Sequence, residues 1–350
     1  MTISTTLLAV VVQGLVGALL LAVAVAGLRK ADNDRWARLT AARRERARPF
    51  VVGLVAGEPQ PWPASRRDRA AAEALAVETL RKVRGEARTA LVEALEARGV
   101  VERAVRRARR PGALGRARAA DLLGLVGGER ALEPLARLLA DRSPVVRRVA
   151  ARAIGAVGRP EGAVPLLDSL AGRRALPAGV VAMALVQIGP SCATALRAAL
   201  HEPSATKRLI AAQLLGHHEV LAAAGDLADA LEVEPQPAVR AELARALGSI
   251  GSPVAVPRLV DVLSGVDPPP VRAAAARALG RIGAAGAVDL LRAALEEDGH
   301  EVPHAAAEAL HELGVSGRPA LVEAVRAGRP GADHAAEVLA VGVVREASRR

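Results

Sequence analysis

VRRVAARAIGAVG at 146–158, VRAELARALGSIG at 239–251 and VRAAAARALGRIG at 271–283 align without a gap, and their repetition decides the fold. Weaker copies keep the same frame: GRARAADLLGLVG at 115–127, KRLIAAQLLGHHE at 207–219, VPHAAAEALHELG at 302–314, and one ending in QIG at Gly189. A landmark glycine or its equivalent falls at 124, 155, 186, 216, 248, 280 and 311, a spacing of 30 to 32 residues. Self-similarity at this period marks a stacked array. Within a copy, Val271, Ala275, Ala278, Leu279 and Ile282 recur at helical spacing. A turn follows at Gly283, then a second amphipathic helix, AVDLLRAALEED at 287–298. Loops rich in proline and acid close the units: DRSP at 141–144, EPQP at 234–237, DPPP at 267–270. Proline just before a helix stops the preceding element and presets φ for the next one. Glycine near the helix end supplies a left-handed turn or a close backbone approach. One helix pair cannot bury its own apolar faces, so neighbouring units supply the core.

The pattern VR-x-x-A-A-x-A-L-G-x-I-G at about 31 residues resembles the short HEAT repeat of the phycobilisome-lyase-like class. The resemblance covers residues 99–350, about eight units, with a less regular helical lead-in at 65–98. The Trp/Gly/Tyr pattern of tetratricopeptide repeats and the T-P-L-H of ankyrin repeats, which have similar periods, are missing. It implies an all-α fold, an α-solenoid. It also implies a structural ladder, in which a loop acid sits six positions before a helix arginine: Asp141–Arg147, Glu234–Arg240 and Glu202–Arg208, with Asp267–Arg272 one residue shorter. HEAT arrays bind partners along an inner surface, so the residue three positions before each landmark becomes a candidate contact. That column reads Asp121, Arg152, Met183, Gln213, Arg245, Arg277 and Glu308. Arg152, Gln213, Arg245, Arg277 and Arg281 are the partner-binding candidates, and the local basicity at Arg245, Arg277 and Arg281 points to a protein with acidic patches. An ordinary solvated helix face accounts for the same column.

Composition agrees with closely stacked short helices. Tyr is absent, Phe50 is the only Phe, and Trp36 and Trp62 are the only Trp residues. Alanine and leucine fill the small spaces between such helices. High Ala and Arg with few Lys resembles the usage of GC-rich bacteria. Cys192 is the sole cysteine, so no disulfide framework or thiolate cluster forms within one chain.

The net charge of +11 is uneven: residues 1–28 carry none, 29–50 carry +5, 51–110 carry +5 and 111–350 carry +1. Phosphate neutralisation supplies most nucleic-acid affinity, so a nucleic-acid-binding solenoid needs its basic excess along the array. This array lacks that excess. The stretch LLAVVVQGLVGALLLAVAVAGL at 7–28 has Gln13 as its only polar side chain. As a helix it would reach about 33 Å, enough to cross a bilayer core. Residues before it carry no positive charge, unlike a cleaved signal peptide. The basic flank on its C-terminal side predicts a single-pass anchor with the N-terminus outside and the repeats cytoplasmic. Arg29, Lys30, Arg35, Trp36 and Arg38 are the predicted membrane-interface residues. The segment 29–64 reads as a basic juxtamembrane stretch followed by a Pro-rich linker, with proline and glycine from Pro49 onward breaking any helix.

Two catalytic relatives fail the residue-by-residue match. Deoxyhypusine hydroxylase, a HEAT-type protein, binds two irons through His-Glu pairs placed directly after VR. Here Arg148, Leu209, Ala241, Ala273 and His304 occupy that place, and the dipeptides His201-Glu202, His218-Glu219, His300-Glu301 and His311-Glu312 lie at unrelated repeat positions. Nothing implies the tetrapyrrole pocket of the bilin lyases. His300, His304, Glu308 and His311 fall at i, i+4 spacing, a set zinc can use. With Pro303 opening the helix and His300 in the loop, they read as a solvated polar face, and no metal is assigned. The sequence therefore predicts a membrane-anchored protein-binding scaffold with no enzymatic activity, no cofactor and no small-molecule substrate. A membrane enzyme or transporter is the expected kind of client. The alternative is a HEAT-type metal-binding or modifying enzyme.

Overall fold

The structure, a computed structural model, describes residues 38–58 and 61–347, together with Ala26 and Lys30 singly, and side chains as far as Val341. The span expected at 7–28 lies outside the described residues apart from Ala26, as do Arg29, Arg35 and Trp36. Lys30 and Arg38 are exposed. Among the described residues no single helix is long and apolar enough to cross a membrane. The chain divides into two compact units, Met1–Arg103 and Ala104–Arg350.

In the first unit, α1 covers residues 38–55, α2 Arg66–Leu80 and α3 Glu86–Ala97, and α4 begins at Val100. Ser65 caps α2, its Oγ accepting the Asp68 N–H at 3.2 Å. The helix break expected at Pro49 is absent: α1 runs through it. Proline inside a helix costs about 3 kcal/mol through the lost bond and ring clash. Burial offsets that cost, because Phe50 and Val51 are both buried, at about 1.5–3 kcal/mol for each such side chain. The Phe50 ring lies 4.7 Å from the Trp62 ring, and the Arg98 guanidinium sits 5.5 Å from the same indole. The apolar face of PFVVGLV thus docks as helix, which runs to Val55.

The second unit is a stack of helix pairs: α5 (Ala113–Val126) with α6 (Glu129–Leu138), α7 (Pro144–Val157) with α8 (Ala163–Asp168), and α9 (Ala178–Ile188) with α10 (Ala193–Ala199). α11 (Ala205–His217) then pairs with α12 (Ala224–Val233), α13 (Pro237–Ile250) with α14 (Val256–Ser264), α15 (Pro269–Ile282) with α16 (Val288–Leu295), and α17 (Glu301–Glu312) with α18 (Arg318–Ala327). α19 (Ala332–Ala347) follows. The described residues thus hold these seven pairs and α19, against an expectation of about eight units. The motif helices, odd-numbered from α5 to α19, stack on one another, while the even-numbered helices touch each other sparsely. A stack with one layer packed closer than the other curves toward the close layer, which makes the motif helices the inner layer of this unit.

Two kinds of glycine do different work in the motif. Gly158, Gly251 and Gly283 follow the helices with φ of 70°, 72° and 78°, the left-handed region that favours glycine. The landmark glycines lie inside the helices and serve close approach. A Cβ on Gly248 would stand 2.7 Å from the Ala278 Cα, and Gly124, Gly216 and Gly280 meet Ala153, Ala246 and Ala309 in the same way. Each Ala-Leu-Gly therefore fastens in two directions: its alanine seats the preceding glycine, and its glycine seats the following alanine. At the α9–α11 seam the equivalents are Val186 and Leu214, and α9 packs on α11 over far fewer residues than its counterparts do.

The ladder is built differently from the six-residue expectation. Arg147, Arg208 and Arg240 donate to the main-chain carbonyls of Asp141, Glu202 and Glu234, six residues back. The carboxylates belong to arginines of the preceding repeat. Arg116 grips Asp141 through two bonds of 2.7 and 2.9 Å, Arg208 grips Glu234 at 2.6 and 2.8 Å, Arg240 reaches Asp267 at 2.8 Å, and Arg272 reaches Glu297 at 2.7 Å. A rung thus joins one repeat to the next, because the helix start and the following loop stand side by side in the stack. The Arg116 bond holds the Asp141 carboxyl below its usual range, helped by the Ser143 N–H. Burial pushes the Glu234 carboxyl up, but the Arg208 and Gln236 hydrogen bonds and nearby arginine charge outweigh it, and the net shift is downward. Arg147 has no such partner. The loop that would supply its carboxylate carries Arg173 and Arg174, and the Arg147 Nε is buried without a hydrogen bond.

Candidate partner-binding face

The inner layer displays the predicted column because each motif helix buries its Ala-Leu-Gly stripe and turns the residue three before the landmark outward. Arg152, Met183, Gln213 and Arg245 are exposed, and Arg277 is half-buried. Met183 is 62% exposed, a large apolar side chain in mid-column. The basic side chains are largely compensated. Arg152 lies 3.5 Å from Asp121 of the preceding motif helix, Arg245 binds Glu242 of its own helix at 2.7 Å, and Arg277 binds Glu308 of α17 at 2.6 Å. The expected local basicity at 245–281 thus shrinks to Arg281, which is exposed and has no ion pair among the described residues.

At the end of the column, α15, α17 and α19 enclose a cleft of about 380 Å³ lined by Arg277, Arg281, His304, Glu308, His311 and Glu337. It brings Arg277 and Arg281 together; Arg152, Gln213 and Arg245 lie elsewhere along the face. A second, more strongly basic surface forms at the loops. A cleft of about 650 Å³ gathers Arg109, Arg110, Arg142 and Arg174, all exposed, around the paired Arg116 and Asp141. Sequence reasoning missed it because these arginines come from the loops of successive repeats. The charge excess over 51–110 is the signal that pointed there, since Arg109 and Arg110 are its last members.

The family profile for HEAT repeats matches residues 106–186, 193–268 and 256–340. The chain is a HEAT-repeat protein. Solved HEAT-like solenoids share the architecture. The karyopherin Kap121p aligns at 12% identity and a TM-score of 0.51, covering 79% of this chain and 37% of that one. Kap121p bound to the extreme C-terminus of the phosphatase Cdc14p aligns at 13% identity and 0.51, covering 79% and 38%. This HEAT-repeat chain thus spans little more than a third of the karyopherin's length. Human deoxyhypusine hydroxylase aligns at 23% identity over 78% of this chain and 97% of that one, with a TM-score of 0.32, too low to carry an argument. No curated protein matches the sequence. The HEAT solenoid is a fold commonly used for protein–protein interaction, and the karyopherin structures show one engaging protein segments.

Proposed function

We propose that this chain is a membrane-anchored adaptor whose HEAT array holds a protein partner at the cytoplasmic face of a bacterial membrane. The observation that carries the reading is the inner column: exposed Arg152, Met183, Gln213 and Arg245 stand at the repeat period on a close-packed layer of helices. Such a surface offers a partner many weak contacts on a rigid frame. Arg is favoured at interface hot spots, and the absence of Trp and Tyr from the column points to a moderately polar interface. The uncharged stretch 7–28 and its basic flank, with Lys30 and Arg38, supply the anchor and its orientation. The short repeat with its Ala-Leu-Gly core fits the phycobilisome-lyase-like class. Kap121p, which has been solved bound to Pho4p and to the SUMO protease Ulp1p, shows how a solenoid of this kind takes protein clients. An acidic client meets the exposed Arg281 on the face and the exposed Arg109, Arg110, Arg142 and Arg174 of the loop cleft, and the reading assigns no reaction to the array.

The test is crosslinking from membranes with the full chain carrying a photoreactive residue at Gln213. A discrete crosslinked protein, lost when Arg152, Arg245 and Arg281 are reversed to Glu, is the expected result. Recovery unchanged by that triple reversal would remove the inner face from the proposal, and loss only on reversing Arg110, Arg142 and Arg174 would move the contact to the loop cleft. Fractionation of the full chain away from membranes after alkaline washing would refute the anchor.

A further inference from the structure

We infer that His300, His304 and His334 form a divalent transition-metal site that ties α19 to α17. One ring nitrogen from each lies within 4.8 Å of the other two. The His300 and His304 rings stack at 5.4 Å, and the His334 ring meets them edge-on at 4.8 and 5.7 Å. His304 and His334 are half-buried and His300 is exposed, so the site has a protein wall and an open side. Imidazole nitrogens sit about 2.0–2.1 Å from zinc, which puts three of them roughly 3.4 Å apart on a tetrahedral ion. Ring rotations displacing each nitrogen by less than about 1 Å bring the trio to that spacing.

An independent observation lies at His304. Its Nδ1 is buried and has no hydrogen-bond partner, an arrangement folded proteins avoid. The nearest acid, Glu337, is 3.8 Å away, beyond hydrogen-bond reach. On the other side of the ring, Nε2 faces Glu308 at 3.5 Å, and Arg277 holds Glu308 at 2.6 Å. Metal-bound histidines characteristically turn their second nitrogen to a carboxylate, which orients the ring and raises its basicity. His304 has the parts of this layout: a braced carboxylate beside one nitrogen and no partner on the other. Glu337, one turn along α19 from His334, is positioned to complete the coordination. A set of nitrogens with one carboxylate selects a borderline ion of the zinc, cobalt or nickel kind over magnesium or calcium. The site does not use the His-Glu dipeptides as pairs. His304 and His334 stand one repeat apart in the same register, so it is a device of the array's last two motif helices.

The probe is cobalt(II) added to the full chain after chelator treatment. The expected result is one equivalent bound per chain, with visible absorption of a low-symmetry site, displaced by one equivalent of zinc. Binding should raise the unfolding midpoint by about 5 °C at a hundredfold excess over the dissociation constant. H304N and H334N should abolish both signals, while H201N, at an exposed histidine outside the cluster, keeps them. A wild-type spectrum identical to that of aqueous cobalt overturns the inference without reference to any variant. So does a one-equivalent site that survives H304N and H334N in chains with unchanged circular dichroism.

Discussion

Replacing Gly248 with alanine tests how the array is held together. The new methyl carbon would stand 2.7 Å from the Ala278 Cα and 2.9 Å from its Cβ. Carbon atoms settle at about 3.5–4.0 Å, so α13 and α15 must part locally by about 1 Å. Overpacking of this kind costs about 1–3 kcal/mol. Alanine returns about 1 kcal/mol through its higher helix propensity. Separation also loosens Leu247 and Leu279, both fully buried beside the seam. The net expectation is a loss of up to about 2 kcal/mol, with the loosened leucines keeping it above zero. Repeat arrays need not unfold in one step, so urea unfolding of the full chain should be paired with amide exchange resolved by helix. Protection should fall in α13 and α15 and hold in α5 to α8. Gly225→Ala in α12 is the control: no atom lies within 4 Å of its added Cβ, and it should be neutral or slightly stabilising. If Gly248→Ala proves as stable as wild type, with α13 and α15 equally protected, the close-approach role of the landmark glycine is wrong.

Glu234→Gln removes the charge that Arg208 grips and should cost about 1–3 kcal/mol in urea unfolding; a loss below a few tenths would show the rung to be ornamental. The Asp141 and Glu234 carboxyls lie below their ordinary values, so their stabilisation is complete above about pH 4 and is lost as pH falls from there toward the folded values. Acid titration should therefore destabilise the wild type more steeply than D141N/E234Q below about pH 4, and parallel curves would contradict the rungs. Arg173→Asp places a carboxylate 26 residues after Arg147, the rung spacing of Arg208 and Glu234, and should stabilise by several tenths of a kcal/mol on thermal melting; a loss would mean that the 171–177 loop holds its present course by those arginines. Amide exchange should show a boundary of protection between α9 and α11, and uniform protection across that seam would refute the role given to Val186 and Leu214.

Much of the fold was legible because a repeat declares itself several times. Val271, Leu279 and Ile282 marked a helix with one apolar face, and Gly283 marked its end, and both hold in the structure. The repeat resemblance implied Asp141 with Arg147, six residues on, whereas stacking sets the Asp141 carboxylate against Arg116. Chain neighbours and stack neighbours compete for the same arginines, and only the packing decides between them. Pro49 was misread because its intrinsic cost was visible and the burial of Phe50 against Trp62 was not. Charges on the inner column were visible, but their pairing with Asp121, Glu242 and Glu308 depends on helix rotation and spacing. His334 is not visible in the helical spacing of His300, His304, Glu308 and His311, because it lies on α19, a different helix. Adding the repeat period to His304 leads directly to it.

The irregular third unit follows from the same two devices that make the others regular. A rung needs an arginine at the helix start and an acid in the next loop, and a seam needs glycine on one helix and alanine on its neighbour. The α9/α10 unit has Ala178 where its counterparts have Arg147, Arg240 and Arg272, and its loop offers Arg173 and Arg174 in place of an acid. Its seam with α11 carries Val186 and Leu214 in place of the small pair. Both fastenings are therefore missing at one place, while Arg208–Glu234, Arg240–Asp267 and Arg272–Glu297 run unbroken beyond it. Stability in a stacked array is close to a sum of unit and neighbour contributions, so a unit lacking both neighbour terms sets the weakest join. Lys207 supplies a partial substitute, binding Asp168 at 2.8 Å across the unit from α11 to α8. That contact spans two repeats where a rung spans one, which is what a lattice does when its regular bond has no partner to reach.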